Sequence, residues 1–416
     1  MIGDEGRGTD IEHPDGRRTA ARNWPADGHA GVLPPAGPGA DSVAAVNQQR
    51  GRRAMEFFCG LDVSIEETAV CVVDDQGVVH LRGAVTTEPA AIVTALQPFL
   101  GRLRRVGHEA GALSPWLHPE LLRAGLPAVC LETRHVRAAM SAQRNKTDAA
   151  DALGIAHIMR TGWFRQAHIK TEACYRLRLL LTHRRTLKRK VLDLENAIRH
   201  SLKAFGIKLG GTARGAFDQA VRRAVADDPL TSELMDAMLA ARAALWKEYK
   251  RLHDLVVKVV ARNDLCRRFM AIPGVGPVTA LSFMAAIDDP SRFCRSRDVA
   301  AYFGLTSRRW QSGTSIDVKG RISKIGDAEV RHALYEAASV LMTRFKGRDK
   351  VRTWGLALAK RGCHRKATVA VARKLAVIMH AMWVDGTCYV GDPTAPETDT
   401  AARAAAKNRK LLGALA

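Results

Sequence analysis

Between residues 56 and 84 three short runs follow one another, FFCGLDVS, TAVCVVDD and VVHLRGAV, rich in Val and Phe and separated only by polar turns. They read as three strands. The pattern then changes. Glu88-Pro89 opens a helix at about 88–103, with proline in its first turn. A strand near 104–109, a helix near 115–124, a strand at 127–132 and helices near 134–141 and 147–161 follow. Three strands and then helix and strand in alternation define an α/β domain with a mixed sheet.

The next 100 residues are of another kind. Over 171–206, Leu180, Leu187 and Leu194 recur every seven residues, while Leu177, Val191, Ile198 and Phe205 form a second seam that Arg184 interrupts. Over 231–262, Met238, Leu245, Leu252 and Val259 keep the same spacing. This is a coiled-coil-like pattern. Helices this long need a partner, each other or a second subunit, and self-association as a dimer or tetramer is expected. Residues 266–390 read as a last, mostly helical domain. Its segment AIPGVGPVTALSFMAAI has a helix-hairpin-helix-like form, in which Gly274 and Gly276 would present backbone N–H groups to a phosphate at a helix N-terminus.

Five segments result: an extension over 1–54 that is disordered or non-native, an α/β domain over 55–166, the long helical segment over 167–263, the C-terminal domain over 264–390, and a flexible tail over 391–416. Residues 1–54 hold nine Gly and five Pro without apolar periodicity, and Met55 is the alternative start. The eight cysteines are scattered with no CxxC pair, which argues against a disulfide scaffold and a Cys-rich zinc site. No apolar run appears long enough for a membrane span, and no secretory signal is visible. A cytoplasmic, nucleoid-associated setting is expected.

Charge is divided as sharply as structure. The net charge is +22, yet residues 56–166 carry 11 basic and 12 acidic residues, against 46 basic and 23 acidic over 167–416. Solvating long helices needs no such bias, whereas a polyanion partner, most simply nucleic acid, does. Arg184 and Arg185, in HRRTLKRK, are candidate phosphate contacts.

The α/β domain carries the acids. Asp62 lies inside the first strand, Glu109 ends a later one, and Asp148 and Asp151 stand three apart on one helix face. An Asp within an apolar strand is costly unless it is liganded. Carboxylates that converge from strand ends and a crossing helix repel one another unless cations neutralise them. The set therefore calls for one or two Mg²⁺, which take oxygen ligands and stabilise in-line phosphoryl displacement. Asp74 and Asp75 precede Gln-Gly and read as turn residues.

The basic half has its own candidate, GLTSRRWQSGTSIDVKGRISKIG over 304–326, read as a loop before a helix. Arg308, Arg309, Lys319, Arg321 and Lys324 suit phosphate. Ser312 beside Gly313 could attack a phosphodiester or could be a turn serine. No neighbouring His or Lys supplies a base.

Taken together, GLDVSIEETAVCVVDDQG, VGHEAG and NKTDAADALGIAHIMRTGWF resemble the N-terminal domain of the DEDD-type insertion-sequence transposases, insertion-sequence family one-ten. IPGVGPVTALSF, SRDVAAYFGLTSRRWQSGTS and GRISKIGDAEVRHALYEAA resemble that family's C-terminal domain. The resemblance covers roughly 56–390, in order. It implies an RNase H-like, RuvC-type fold for the first domain, with Asp62, Glu109, Asp148 and Asp151 as the metal-binding tetrad. It also implies a nucleophilic serine, which falls on Ser312, with Ser307 and Ser315 as lesser candidates because Gln311 and Thr314 depart from the family's neighbours. A non-coding guide RNA bridging donor and target DNA is implied as a partner. The expected activity is transposition or recombination of DNA. The rival is a hydrolytic, structure-specific endonuclease that uses the same tetrad with water.

Overall fold

The computed structural model describes residues 55–141, 146–313 and 316–391. The expectations for 1–54 and for the tail after 391 lie outside the described residues, as do Thr314 and Ser315. The chain divides into Met1–Glu56 and Phe57–Ala416, and the architecture below is that of the second unit.

Three antiparallel strands come first: β1 (Phe57–Val63), β2 (Glu67–Asp74) and β3 (Val79–Thr86). Two parallel strands, β4 (Leu103–Glu109) and β5 (Ala128–Leu131), extend the sheet on the far side of β1, giving the order β3-β2-β1-β4-β5. This mixed sheet agrees with the α/β expectation. Alternation along β1 decides the layers. Phe57, Cys59 and Leu61 join Ile92 and Leu96 of α1 (Pro89–Leu96) and Leu117 and Leu121 of α2 (Ser114–Arg123) in one core. Phe58 faces the other way, where Val136 of α3 (Thr133–Ala139) and Ile155 and Met159 of α4 (Asp148–Thr161) form a second core. The helix expected over 88–103 is α1 followed by a 3₁₀ stretch, Gln97–Arg102, with Pro98 at its start.

The helical segment is a hairpin. In α5 (Glu172–Leu202) and α7 (Pro229–Ala261) contacts run in opposite senses: Arg184 reaches Tyr249 and His253, and Glu195 reaches Arg242. The two long helices thus partner each other. The heptad reading needs correction in register. The buried line of α7 is Met235, Leu239, Arg242, Val256 and Val260, whereas Met238, Leu245, Leu252 and Val259 are only half-buried beside it. Phe205 is exposed, beyond the helix end. Polar residues hold the centre of the seam because they satisfy one another: Arg242 bonds Glu195 at 2.8 Å and Asp218 of α6 (Phe217–Ala224) at 2.7 Å. A purely apolar periodicity could not register them.

The C-terminal domain packs α8 (Asp264–Phe269), α9 (Pro277–Ile287), α10 (Asp298–Tyr302), α11 (Ala328–Thr343), α12 (Lys350–Lys360) and α13 (His364–Val384) around one core. By length and composition α13 could cross a membrane, contrary to the sequence expectation. Val371, Leu375 and Met379, however, place it at the centre of this core. The Gly-Val-Gly turn joins α8 to α9. Gly274 has φ +91°, and a Cβ there would overlap the Ala337 carbonyl of α11, so close packing already demands that glycine.

The segment 304–326 is not a loop. β6 (Ser307–Ser312) and β7 (Ile316–Ile322) form an antiparallel ribbon, with Trp310 opposite Val318 and Ser312 opposite Ile316. Only IDVKGRI alternates apolar with polar residues; SRRWQS has a single apolar side chain, so the sequence did not announce the hairpin.

Candidate active site

Two glycines bring the acids together. A Cβ on Gly60 would overlap the Ala152 carbonyl, so only glycine lets α4 lie against β1. Gly107, level with Gly60 on β4, faces Met159 and Ile155 of the same helix. Asp62 and Glu109 each follow two residues later, on the same sheet face and at the C-terminal ends of adjacent parallel strands. Thr147 caps α4 through a hydrogen bond from the Ala150 N–H at 3.2 Å, placing Asp148 and Asp151 in the first turn, over those strand ends.

Electrostatics registers the convergence. The Asp62 carboxyl is pushed up to about 6 by burial first, then by the charges of Asp151, Asp148 and Glu109. Lys146, just before α4, opposes them, and its ammonium stands 3.9 Å from Asp151. Sequence reasoning missed this lysine; its place between Asn145 and the Thr-Asp cap was the available signal. Among the described residues, no three His, Cys, Asp or Glu side chains are drawn into a closed ligand shell. Four carboxylates with a single ammonium, paired to Asp151, have reason to stand apart. An all-oxygen donor set bearing uncompensated charge fits a hard divalent cation. His108 lies on the opposite face, buried and hydrogen-bonded to His118 at 2.9 Å, and is no part of that set.

The basic candidates divide. Arg184 donates to His253 at 3.1 Å and to Tyr249 at 2.9 Å, inside the hairpin. Arg185 pairs with Glu329. The outward cations of that stretch are instead Arg189 and Lys190. Gly274 and Gly276 are half-buried at the start of α9. On the ribbon, Arg309 pairs with Asp317 at 2.6 Å, Arg308 donates to the Ser323 carbonyl at 3.2 Å, and Arg321 is exposed. Lys319 is set opposite Arg309 in the ladder, and exposed Lys324 has φ +55° where the chain leaves β7. Ser312 is exposed at the ribbon's tip, Ser307 at its base. Among the described residues nothing hydrogen-bonds the Ser312 hydroxyl, and nothing ties it to the four acids.

A clamp that the sequence did not announce ties the residues leading into α5 to the C-terminal domain. Asp288, at the end of α9, has φ +65° and accepts from His168 at 2.8 Å, from the Thr171 N–H at 2.9 Å and from the Thr171 hydroxyl at 2.7 Å. Burial opposes its ionisation, but hydrogen bonds from Cys174, Thr171 and His168 outweigh this and hold the carboxyl well below the usual range. A strained backbone persists where such bonds over-determine it.

Two family profiles match the chain. One, described as a transposase of the DEDD IS110 type, covers residues 59–207, and the other, described as the transposase IS116/IS110/IS902 family, covers residues 266–353. The transposase for insertion sequence element IS1111A of Coxiella burnetii is 28% identical over 345 residues, 80% of this chain and 92% of its own length. The transposase for element IS1328 of Yersinia enterocolitica is 26% identical over 59% of this chain and 74% of its own. Among solved structures, Thermus thermophilus RuvC in complex with a Holliday junction substrate matches 27% of this chain and 99% of its own, at 18% identity and a TM-score of 0.23. With both profiles in order along one chain, spanning the α/β domain and the helical domain that carries the serine ribbon, the protein belongs to the IS110 family of DEDD transposases.

Proposed function

We propose that this insertion-sequence transposase cuts and rejoins DNA with the carboxylates of Asp62, Glu109, Asp148 and Asp151 and the hydroxyl of Ser312, guided by a non-coding RNA. The observation that carries the metal part of the reading is the placement of Asp62 and Glu109 at adjacent parallel strand ends under the capped first turn of α4; burial first, and then the charges of Asp151, Asp148 and Glu109, push the Asp62 carboxyl up. Asp62, Glu109, Asp148 and Asp151 would hold one or two Mg²⁺. When bound, these supply charge stabilisation to the phosphoryl group being transferred.

The chain's own residues do the rest. Asp62 and Glu109 are fixed by the sheet, and Asp148 and Asp151 by the capped turn of α4, so the scissile phosphate is met by a preset frame. The Ser312 oxygen attacks phosphorus: an O–P bond forms, the P–O bond to the departing strand breaks, the serine proton is lost and the leaving oxygen gains one. A strand hydroxyl later reverses the step, and the strands are exchanged without net hydrolysis. Acids and serine stand on different domains, so a second copy of the chain completes the site in a dimer or tetramer. The cationic half grips phosphates, while base pairing between guide RNA and DNA supplies the sequence. The charge asymmetry supports a polyanion partner; the RNA part rests on the family resemblance.

One observation favours a hydrolytic reading, in which water attacks and Ser312 only binds phosphate: no base touches the serine among the described residues.

Cleavage of labelled DNA in the presence of RNA transcribed from the element's flanks tests the proposal. Activity should require Mg²⁺, disappear with a chelator, and vanish in Asp148→Asn while DNA binding persists. Full cleavage by Asp148→Asn would remove the tetrad assignment.

A further inference from the structure

The ribbon β6–β7 has two unlike faces. Residues opposite each other in an antiparallel ladder share a face, and so do residues two apart on one strand. Arg309, Gln311, Asp317 and Lys319 therefore lie on one face, tied by the Arg309–Asp317 pair. Arg308, Trp310, Ser312 and Val318 lie on the other. This second face is apolar at its middle and open: Trp310 is 54% exposed and Val318 55%. An isolated two-stranded ribbon is marginal in water, and an unburied Trp–Val couple adds nothing to a core. Gly320 is shaped to it, because any side chain there would run into the Trp310 ring. The indole is thus laid along the ribbon with much of its surface uncovered.

What would cover it must tolerate cations. Arg308 and Arg321 are exposed on the same ribbon, and Lys324 is exposed at its exit. An aromatic face among arginines suits a nucleobase, whose π-face stacks whatever its identity while its phosphates meet the cations. Trp310 precedes Ser312 by two positions on the same face, about 7 Å along a strand. One nucleotide can span that gap, with its base on the indole and its phosphate at the serine.

We propose that Trp310 is a positioning residue that stacks an unpaired DNA base beside the phosphate addressed by Ser312. The inference rests on the serine reading for its purpose, but the stacking is measurable without it. The indole holds a splayed nucleotide, so the ribbon favours DNA that is open at the step to be cut. Val318 stands opposite Trp310 in the ladder and is itself exposed, so the outer face of the indole is left open.

The test uses full-length protein carrying Ser312→Ala, so that no reaction intervenes. Two DNA duplexes are compared, one with a single unpaired 2-aminopurine and one with the same base paired. Stacking on Trp310 should quench the unpaired probe, and the added change Trp310→Ala should remove the quenching and weaken binding of that duplex about tenfold. Trp310→Phe should restore most of both, and affinity for the paired duplex should hardly change. Melting curves of all variants check folding. If a variant misfolds, photocrosslinking of 5-bromouracil at the unpaired position, mapped to 307–322 in the protein with Trp310 intact, replaces it. Quenching that survives Trp310→Ala, or a crosslink mapped elsewhere, overturns the proposal. So does a change confined to oligomeric state, which would make the face a protein contact. A covalent adduct in wild type together with quenching indifferent to Trp310 would fail the platform alone. Trp310-dependent quenching with no adduct in wild type would fail the serine reading alone.

Discussion

The carboxylate end of the α/β domain and the serine ribbon of the C-terminal domain are built in opposite ways. Asp62 and Glu109 project from central strands with a core on each face, and a glycine beneath each lets α4 press its acids over them. Ser312 ends a ribbon whose β6 side chains are all exposed and whose ion pair is its own. Packing therefore fixes the acids in advance, whereas the serine is left for nucleic acid or a second copy to place. On the proposed reading, in which Ser312 is the nucleophile and the acids hold the metal, an exposed serine placed only by substrate would not nick DNA at random.

The sharpest way to break this contrast is at the acids. Asp62→Asn should lower cleavage by about a hundredfold or more with little change in DNA affinity, checked by single-turnover cleavage and titration of labelled DNA. Equal loss of binding would mean that the frame itself, and not its charge, had failed.

Glycines sharpen the contrast through stability. Gly60→Ala forces α4 off β1 and should cost about 1–3 kcal/mol, a fall of a few degrees in Tm. Gly320→Ala displaces only Trp310 and should leave Tm nearly unchanged. Comparable melting shifts would show that the ribbon is as integral as the sheet.

The Asp288 clamp gives a pH signature. Asp288 ionises far more readily folded than unfolded, so its contribution is complete above the unfolded value near 4. It is lost as pH falls and the folded carboxyl takes its proton. Melting of wild type should therefore drop more steeply below about pH 4 than that of Asp288→Asn. Parallel curves would remove the clamp.

The smallest effect separates inward from outward cations on α5. Charge reversal at Arg189 and Lys190 should reduce the salt slope of DNA binding by about two. Arg184→Ala should alter hairpin stability and leave that slope alone. The reverse result would place the nucleic acid on the other side of the hairpin.

Much of this was legible in the chain. Strand and helix positions in the α/β domain follow from short Val-rich runs and caps, because local pattern and burial agree there. Of the four acids only Asp62, within an apolar strand, stands where an acid needs a reason; Asp148 also suits an ordinary helix first turn, and the grouping of the four as a tetrad came from the family resemblance. The hairpin's register was not legible, since Glu195 and Arg242 sit where periodicity expects apolar side chains. The ribbon was hidden by its polarity, having no buried face to mark it. Asp288 gave no signal at all: its role needs His168 and Thr171, more than a hundred residues away in sequence.

In the proposed mechanism acids and serine serve one reaction. Denaturing gels of protein mixed with Mg²⁺, labelled junction DNA and flank-derived RNA test it most directly. A covalent protein–DNA adduct should form with wild type and be missing in both Ser312→Ala and Asp148→Asn. Cleaved DNA without any adduct, retained in Ser312→Ala, would contradict it and leave water as the nucleophile.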